Sequence, residues 1–181
     1  MNIPEQLQQT LNYPALQVID ATTGLPENAA EFDELRQAVL ITFLAGLYKA
    51  TRTTEGAFLI SSQDTATALL SSIFVNEGDI TEKIAVHTDQ TVDTVKTKLE
   101  EVATGFLSLD AYKNDDVSTN KDDNLKTLLS SQRHDILRYL PGKLKIGDLL
   151  NDESLDDNTN KMEGPVSSLM HKIENVFSSA D

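Results

Sequence analysis

The stretch Val39 to Tyr48 is the strongest apolar run in the chain, and its length and surroundings limit the fold more than any other feature. It is about half the roughly 20 apolar residues that a membrane-spanning helix requires, and Arg36 and Lys49 bracket it. A membrane span is therefore not expected. The run sits inside a longer helical pattern. From Pro26, the segment Glu27 to Lys49 places Ala30, Phe32, Leu35, Val39, Leu40, Phe43, Leu44 and Leu47 at mostly three- and four-residue steps. Pro26 fits the first turn, where a missing N–H costs nothing.

Further helical stripes follow. Ala57 to Ile60 precedes Thr65 to Val75, with Ser61, Ser62 and Asp64 as end and cap signals between them. After Asn76-Glu77-Gly78, a short helix containing Ile80, Ile84 and Ala85 ends near His87. Thr91 then caps Val92 to Leu109, with Val95, Leu99, Val102 and Phe106 on one face. Tyr112 to Asp123 reads as a polar surface loop, and Leu125 to Leu140 as another helical stripe that Pro141-Gly142 stops. A short element, Ile146 to Leu150, ends the expected bundle over residues 1–150. Residues 151–164 read as an acidic flexible linker, and Pro165 opens a C-terminal amphipathic helix over 165–178. No strand alternation is visible, so the fold class is all-α.

Composition agrees. The 181 residues are 39% apolar with 6% aromatic and no Trp, so one core of Leu, Ile, Val and Ala is expected. A net charge of -14 repels phosphate backbones and anionic lipid, so nucleic acid and membrane surfaces are not expected partners. With no Cys, disulfides and thiolate metal sites are excluded. Met1 to Thr10 carry neither a basic stretch nor an apolar core, which makes the cytoplasm the expected location.

The chain also resembles itself. Ile19 to Gly24 aligns with Ile84 to Asp89, and Phe32, Val39, Phe43 and Leu44 align with Val95, Val102, Phe106 and Leu107. This defines two helix-turn-helix units, about 15–52 and 80–112, expected to pack about a pseudo-twofold axis. Gly24 and Asp89 share the turn, and both residue types tolerate a left-handed helix end.

The words Leu69-Leu70-Ser71-Ser72-Ile73-Phe74, the Ile84 to Leu109 unit, and Leu128-Leu129-Ser130-Ser131-Gln132-Arg133 running on to Tyr139-Leu140-Pro141-Gly142-Lys143-Leu144 resemble the bacterial YidB-like group of unknown function (domain-of-unknown-function family 937), over roughly residues 15 to 150. The chain departs from that group where glycine-rich stretches are polar and acidic, and where a long-helix proline is replaced around Ile41 or Thr42 and around Thr104. The resemblance implies a helical fold and no catalytic residue.

The inventory of reactive groups points away from enzymes. His87 sits at a helix end as a dipole partner, and His134 and His171 have no evident triad. Asp156-x-Asn158-x-Asn160 and Asp116-x-Ser118-x-Asn120 begin like calcium loops, but Lys161 and Lys121 replace the turn glycine. No cofactor is expected. The expected function is a non-enzymatic interaction or structural module. Its final helix, through Val166, Leu169, Met170, Ile173, Val176 and Phe177, would contact another protein, a second copy or its own bundle. The alternative is a small-molecule or lipid-binding bundle, with a cavity left by Ala45, Gly46, Thr104 and Gly105.

Overall fold

The computed structural model describes residues 2–20, 26, 28, 30, 32–113, 121–141, 144–150, 152 and 155. Its elements are α1 (Ile3–Thr10), α2 (Glu34–Ala50), α3 (Thr54–Ser61), α4 (Ala66–Ile73), α5 (Glu77–Thr88), α6 (Val92–Ser108), α7 (Asp110–Lys113), α8 (Lys121–Ser131), α9 (Arg133–Leu137) and α10 (Ile146–Leu150). The fold is an all-α bundle. Among the described residues, extended pairing is confined to an isolated antiparallel bridge between Ile19 and Pro26, and no helix is long and apolar enough to cross a membrane.

α2 is the axis of the bundle. Every residue from Gln37 to Leu47 is buried, and α1, α3, α4, α5, α6, α8, α9 and α10 all pack against it. A helix surrounded in this way needs apolar side chains on all sides, and the run Val39 to Leu47 supplies them. α6 differs: Val95, Leu99, Val102, Ala103, Gly105 and Phe106 are buried, while Lys96, Thr97, Glu100 and Thr104 on its other side are exposed. Phe43 and Phe106 meet edge-on with ring centroids 5.6 Å apart. The two phenylalanines that the internal alignment equates thus touch one another. Leu, Ile and Phe side chains buried this fully contribute about 1.5–3 kcal/mol each.

Helix ends follow the expected chemistry where the cap residue is explicit. Thr91 accepts from Thr94 N at 3.2 Å to open α6, whereas α4 is opened by Thr65, which accepts from Ala68 N, and not by the expected Asp64. Asp89 closes α5 in the left-handed region, with φ of 52° and ψ of 44°, as its place in the turn predicts.

Four further expectations are corrected. α2 begins at Glu34 rather than near Pro26, because the Asp33 carboxylate accepts from Arg36 N at 2.9 Å and pairs with the Arg36 guanidinium at 2.8 Å. Pro26 is instead in the bridge with Ile19, so Ile19 is extended where its counterpart Ile84 is helical, and the two repeat units do not share their first element. The loop expected from Tyr112 begins inside α7, and Tyr112 itself is buried. The linker expected from residue 151 has packed positions: Asp152 pairs with Arg52 at 2.5 Å, and Leu155 is fully buried.

One helix, α1, and one break, at Gln132, had no clear sequence signal. α1 is short, yet Ile3, Pro4 and Leu7 are buried, and Ile3 N donates to Gln132 Oε1 at 2.6 Å. That bond explains the break between α8 and α9: the buried Gln132 leaves the helix to satisfy a backbone donor of α1.

Candidate functional site

The polar groups of the interior hold the chain together. The Gln37 amide accepts from Gln17 N at 2.8 Å and donates to Gln17 O at 2.7 Å and Tyr139 O at 2.9 Å. It thereby fastens the extended segment before α2 to the end of α9, where Ile19 N also donates to Arg138 O. Tyr13 is buried between the Arg36 guanidinium and the Lys98 ammonium, 5.3 and 5.7 Å from its ring centroid. Burial first, and the Glu101 carboxylate next, push its phenol above the usual tyrosine range, so it remains a neutral anchor.

His87 lies in the last turn of α5, with Nε2 3.3 Å from Glu34 Oε1 on α2. This joins two helices. His134 is exposed. His171, both calcium-like stretches beyond their Lys121, and the six residues Val166, Leu169, Met170, Ile173, Val176 and Phe177 lie outside the described residues. Among the described residues, no three His, Asp or Glu side chains gather as a metal ion would require.

Of the small residues named as cavity formers, Ala45 is buried and Thr104 is exposed, and the two glycines pack tightly. A Cβ on Gly46 would lie 2.5 Å from the Phe74 ring and 2.6 Å from the Ile73 methyl group. On Gly105 it would lie 2.7 Å from Leu11 and 3.3 Å from Leu7. The notches are therefore filled by the end of α4 and by α1 with its C-cap residue. A shallow groove of about 270 Å³ between α1 and the start of α7 is lined by Gln6, Gln9, Thr10, Ser108, Leu109 and Asp110. Open to solvent and with polar and apolar surface in nearly equal parts, it is no enclosed apolar pocket of the kind that buries an acyl chain.

The outer face of α3 is the candidate site. Thr53 caps the helix by accepting from Gly56 N at 3.0 Å. The corner from α2 is so close that a Cβ on Gly56 would fall 1.9 Å from Ala50 O. At the other end Tyr112 Oη lies 2.9 Å from Ile60 O and 2.6 Å from Gln63 O, sharing its proton between them. Burial, and then the charge of Asp64, push its phenol up to about 12, so it stays a donor at neutral pH. Ser61 and Ser62 hydroxyls donate back to Phe58 O and Leu59 O at 3.0 and 2.7 Å.

Ala57 and Ile60 are buried on the inner side, where α8 packs against α3. Phe58 and Leu59 face outward, 65% and 46% exposed. A helix fixed at both ends and along its inner side thus presents two adjacent large apolar side chains to solvent. Apolar residues in an interhelical stretch ordinarily read as core, so sequence alone did not single out this pair. Phe58 at this exposure leaves most of its hydrophobic transfer energy unused.

No family model, curated protein or solved structure matches this chain, so the likeness to the YidB-like group rests on the words quoted above.

Proposed function

We propose that this chain is a non-enzymatic interaction module whose contact surface is the outer face of α3. The observation that carries the reading is the exposure of Phe58 and Leu59 side by side on a helix whose ends are capped and whose other face is buried. Clustered exposed apolar groups on a rigid element are what an amphipathic partner helix recognises. The charge of -14 suits such a role, keeping a chain with an apolar contact face from associating indiscriminately.

The test is a comparison of proteins retained by the full chain and by the double variant Phe58→Glu, Leu59→Glu. Both positions are exposed, so the variant folds with a stability change within about 0.5 kcal/mol per site. The reading predicts that the double variant loses the specifically retained partner. An unchanged set of retained proteins would overturn it.

A further inference from the structure

We propose that the described residues from Leu144 to Leu155 form a releasable strap, clasped onto α2 and α5 by three cations and opened by salt while the rest of the bundle stays folded.

Two kinds of contact close the strap. Leu144, Ile146 and Leu155 are fully buried and Leu150 nearly so, with α10 packed against both α2 and α5. The polar contacts all come from charged side chains of the bundle. On α5 the Lys83 ammonium donates to Lys145 O at 2.9 Å, and on α2 the Lys49 ammonium donates to Leu150 O. Just past α2, the Arg52 guanidinium pairs with the Asp152 carboxylate at 2.5 Å. Lysine and arginine are the scarcer charges here, 15 against 29 acidic residues, and three of them grip this one stretch.

Once undocked, the strap has little to hold its shape. α10 is five residues long, far short of the roughly 12 that an isolated helix needs. Lys145 is held at φ 44°, a left-handed conformation that is strained for a residue with a side chain and that release relaxes. The strap's own backbone bonds, from Asp152 N to Gly147 O and from Leu155 N to Asp152 O, are local and do not tie it to the bundle.

The apolar contacts carry no charge for salt to screen, whereas ion pairs open to solvent weaken as ionic strength rises. The Arg52 side chain is half exposed, and the bond from Lys83 lies at the surface. Ionic strength therefore sets how often the strap is open. Release uncovers the apolar parts of α2 and α5 beneath Leu144, Ile146 and Leu150, flanked by Lys49, Arg52 and Lys83.

Native-state hydrogen exchange of the full chain, followed by NMR at about 0.05 M and about 0.5 M sodium chloride, is the test. The Leu155 amide reports the strap, and the amides of Leu99 and Val102 report the bundle. Leu155 is expected to exchange through an opening that leaves Leu99 and Val102 protected, and to exchange faster in the higher salt. At low salt, Arg52→Gln should speed Leu155 roughly twofold to fivefold, and Asp152→Asn should do the same. The double variant should be no faster than either single one, and the salt effect should shrink in all three.

Protection of Leu155 equal to that of Leu99 and Val102 would overturn the proposal by making the strap part of the cooperative core. Early exchange that responds neither to salt nor to Arg52→Gln would also overturn it, leaving an end that frays without a clasp.

Discussion

α2 and α6 are equal in length, 17 residues each, yet α2 is buried around its circumference from Gln37 to Leu47 while α6 is buried along one side. A strict twofold repeat would give both the same surroundings. What separates them is charge. Between Gln37 and Tyr48, α2 carries no ionisable acid or base other than the terminal tyrosine, whereas α6 carries Lys96, Lys98, Glu100 and Glu101 within two turns. Desolvating four charges costs far more than leaving an apolar stripe half covered, so the uncharged helix takes the centre. Apolar spacing selects the buried face, and the absence of charge selects the buried helix.

The sharpest way to break this contrast is to exchange charge between the two helices. Leu40→Lys places an unpaired ammonium at a fully buried position of α2 and is expected to cost more than about 4 kcal/mol, whereas Thr104→Lys on the exposed side of α6 stays within about 0.5 kcal/mol. Urea melts of both variants give the comparison, and equal costs would remove the distinction.

A smaller effect is expected at Gln37. Gln37→Leu keeps a side chain of similar size in the buried position but strands Gln17 N and the carbonyls of Gln17 and Tyr139, at a cost of about 2 kcal/mol. Hydrogen exchange should show the amides of Gln17 and Ile19 opening early while those of α6 are unaffected. Unchanged protection at Gln17 would mean that this amide does not fasten the segment.

At the far end of α6, Tyr112 packs on Phe106 with ring centroids 5.2 Å apart. A phenol whose folded pKa is raised to about 12 holds its proton more tightly than the unfolded chain does, so its contribution is complete below the unfolded value of 10 and is lost as pH rises towards 12. Tyr112→Phe removes the bonds to the end of α3, costs about 1 kcal/mol near neutrality, and flattens part of the fall in stability between about pH 9 and about pH 11. Denaturant melts at the two pH values check both parts.

The smallest effect returns to α2. The Thr42 hydroxyl is buried without a hydrogen-bond partner, so Thr42→Val, of similar shape, should stabilise by about 0.5–1 kcal/mol and raise Tm by about 2 °C. A lower Tm would show that the hydroxyl has a partner.

Much of the fold was legible because its signals are local. Thr91 and Asp89 announce helix ends through side-chain or backbone preferences that neighbours do not override. Periodicity found α6 almost to the residue. It placed the start of α2 too early because Ala30 and Phe32 continue the apolar spacing, and the competing cap at Asp33 is read correctly only when its carboxylate is seen on Arg36 N. α1 and the break at Gln132 depend on each other across more than a hundred residues, so neither has a local signature.

The candidate site was less legible. Phe58 and Leu59 look like core residues in sequence, and their exposure follows from which side of α3 receives α8. The small residues Gly46 and Gly105 suggested empty space, but a glycine opposite a large side chain marks close approach just as well, and Phe74 and Leu11 are those side chains.

The central claim, that α2 is surrounded and α6 is not, is tested most directly by thiol labelling in this cysteine-free chain. Single cysteines at Val39, Leu40, Ile41 and Thr42 sample nearly the whole circumference of α2, at about 100° per residue, and Val95, Lys96, Thr97 and Lys98 do the same for α6. The account predicts that all four α2 thiols react only at the rate of global unfolding, while Lys96→Cys and Thr97→Cys react at once and Val95→Cys waits. Immediate reaction at any one of the four α2 positions would contradict it.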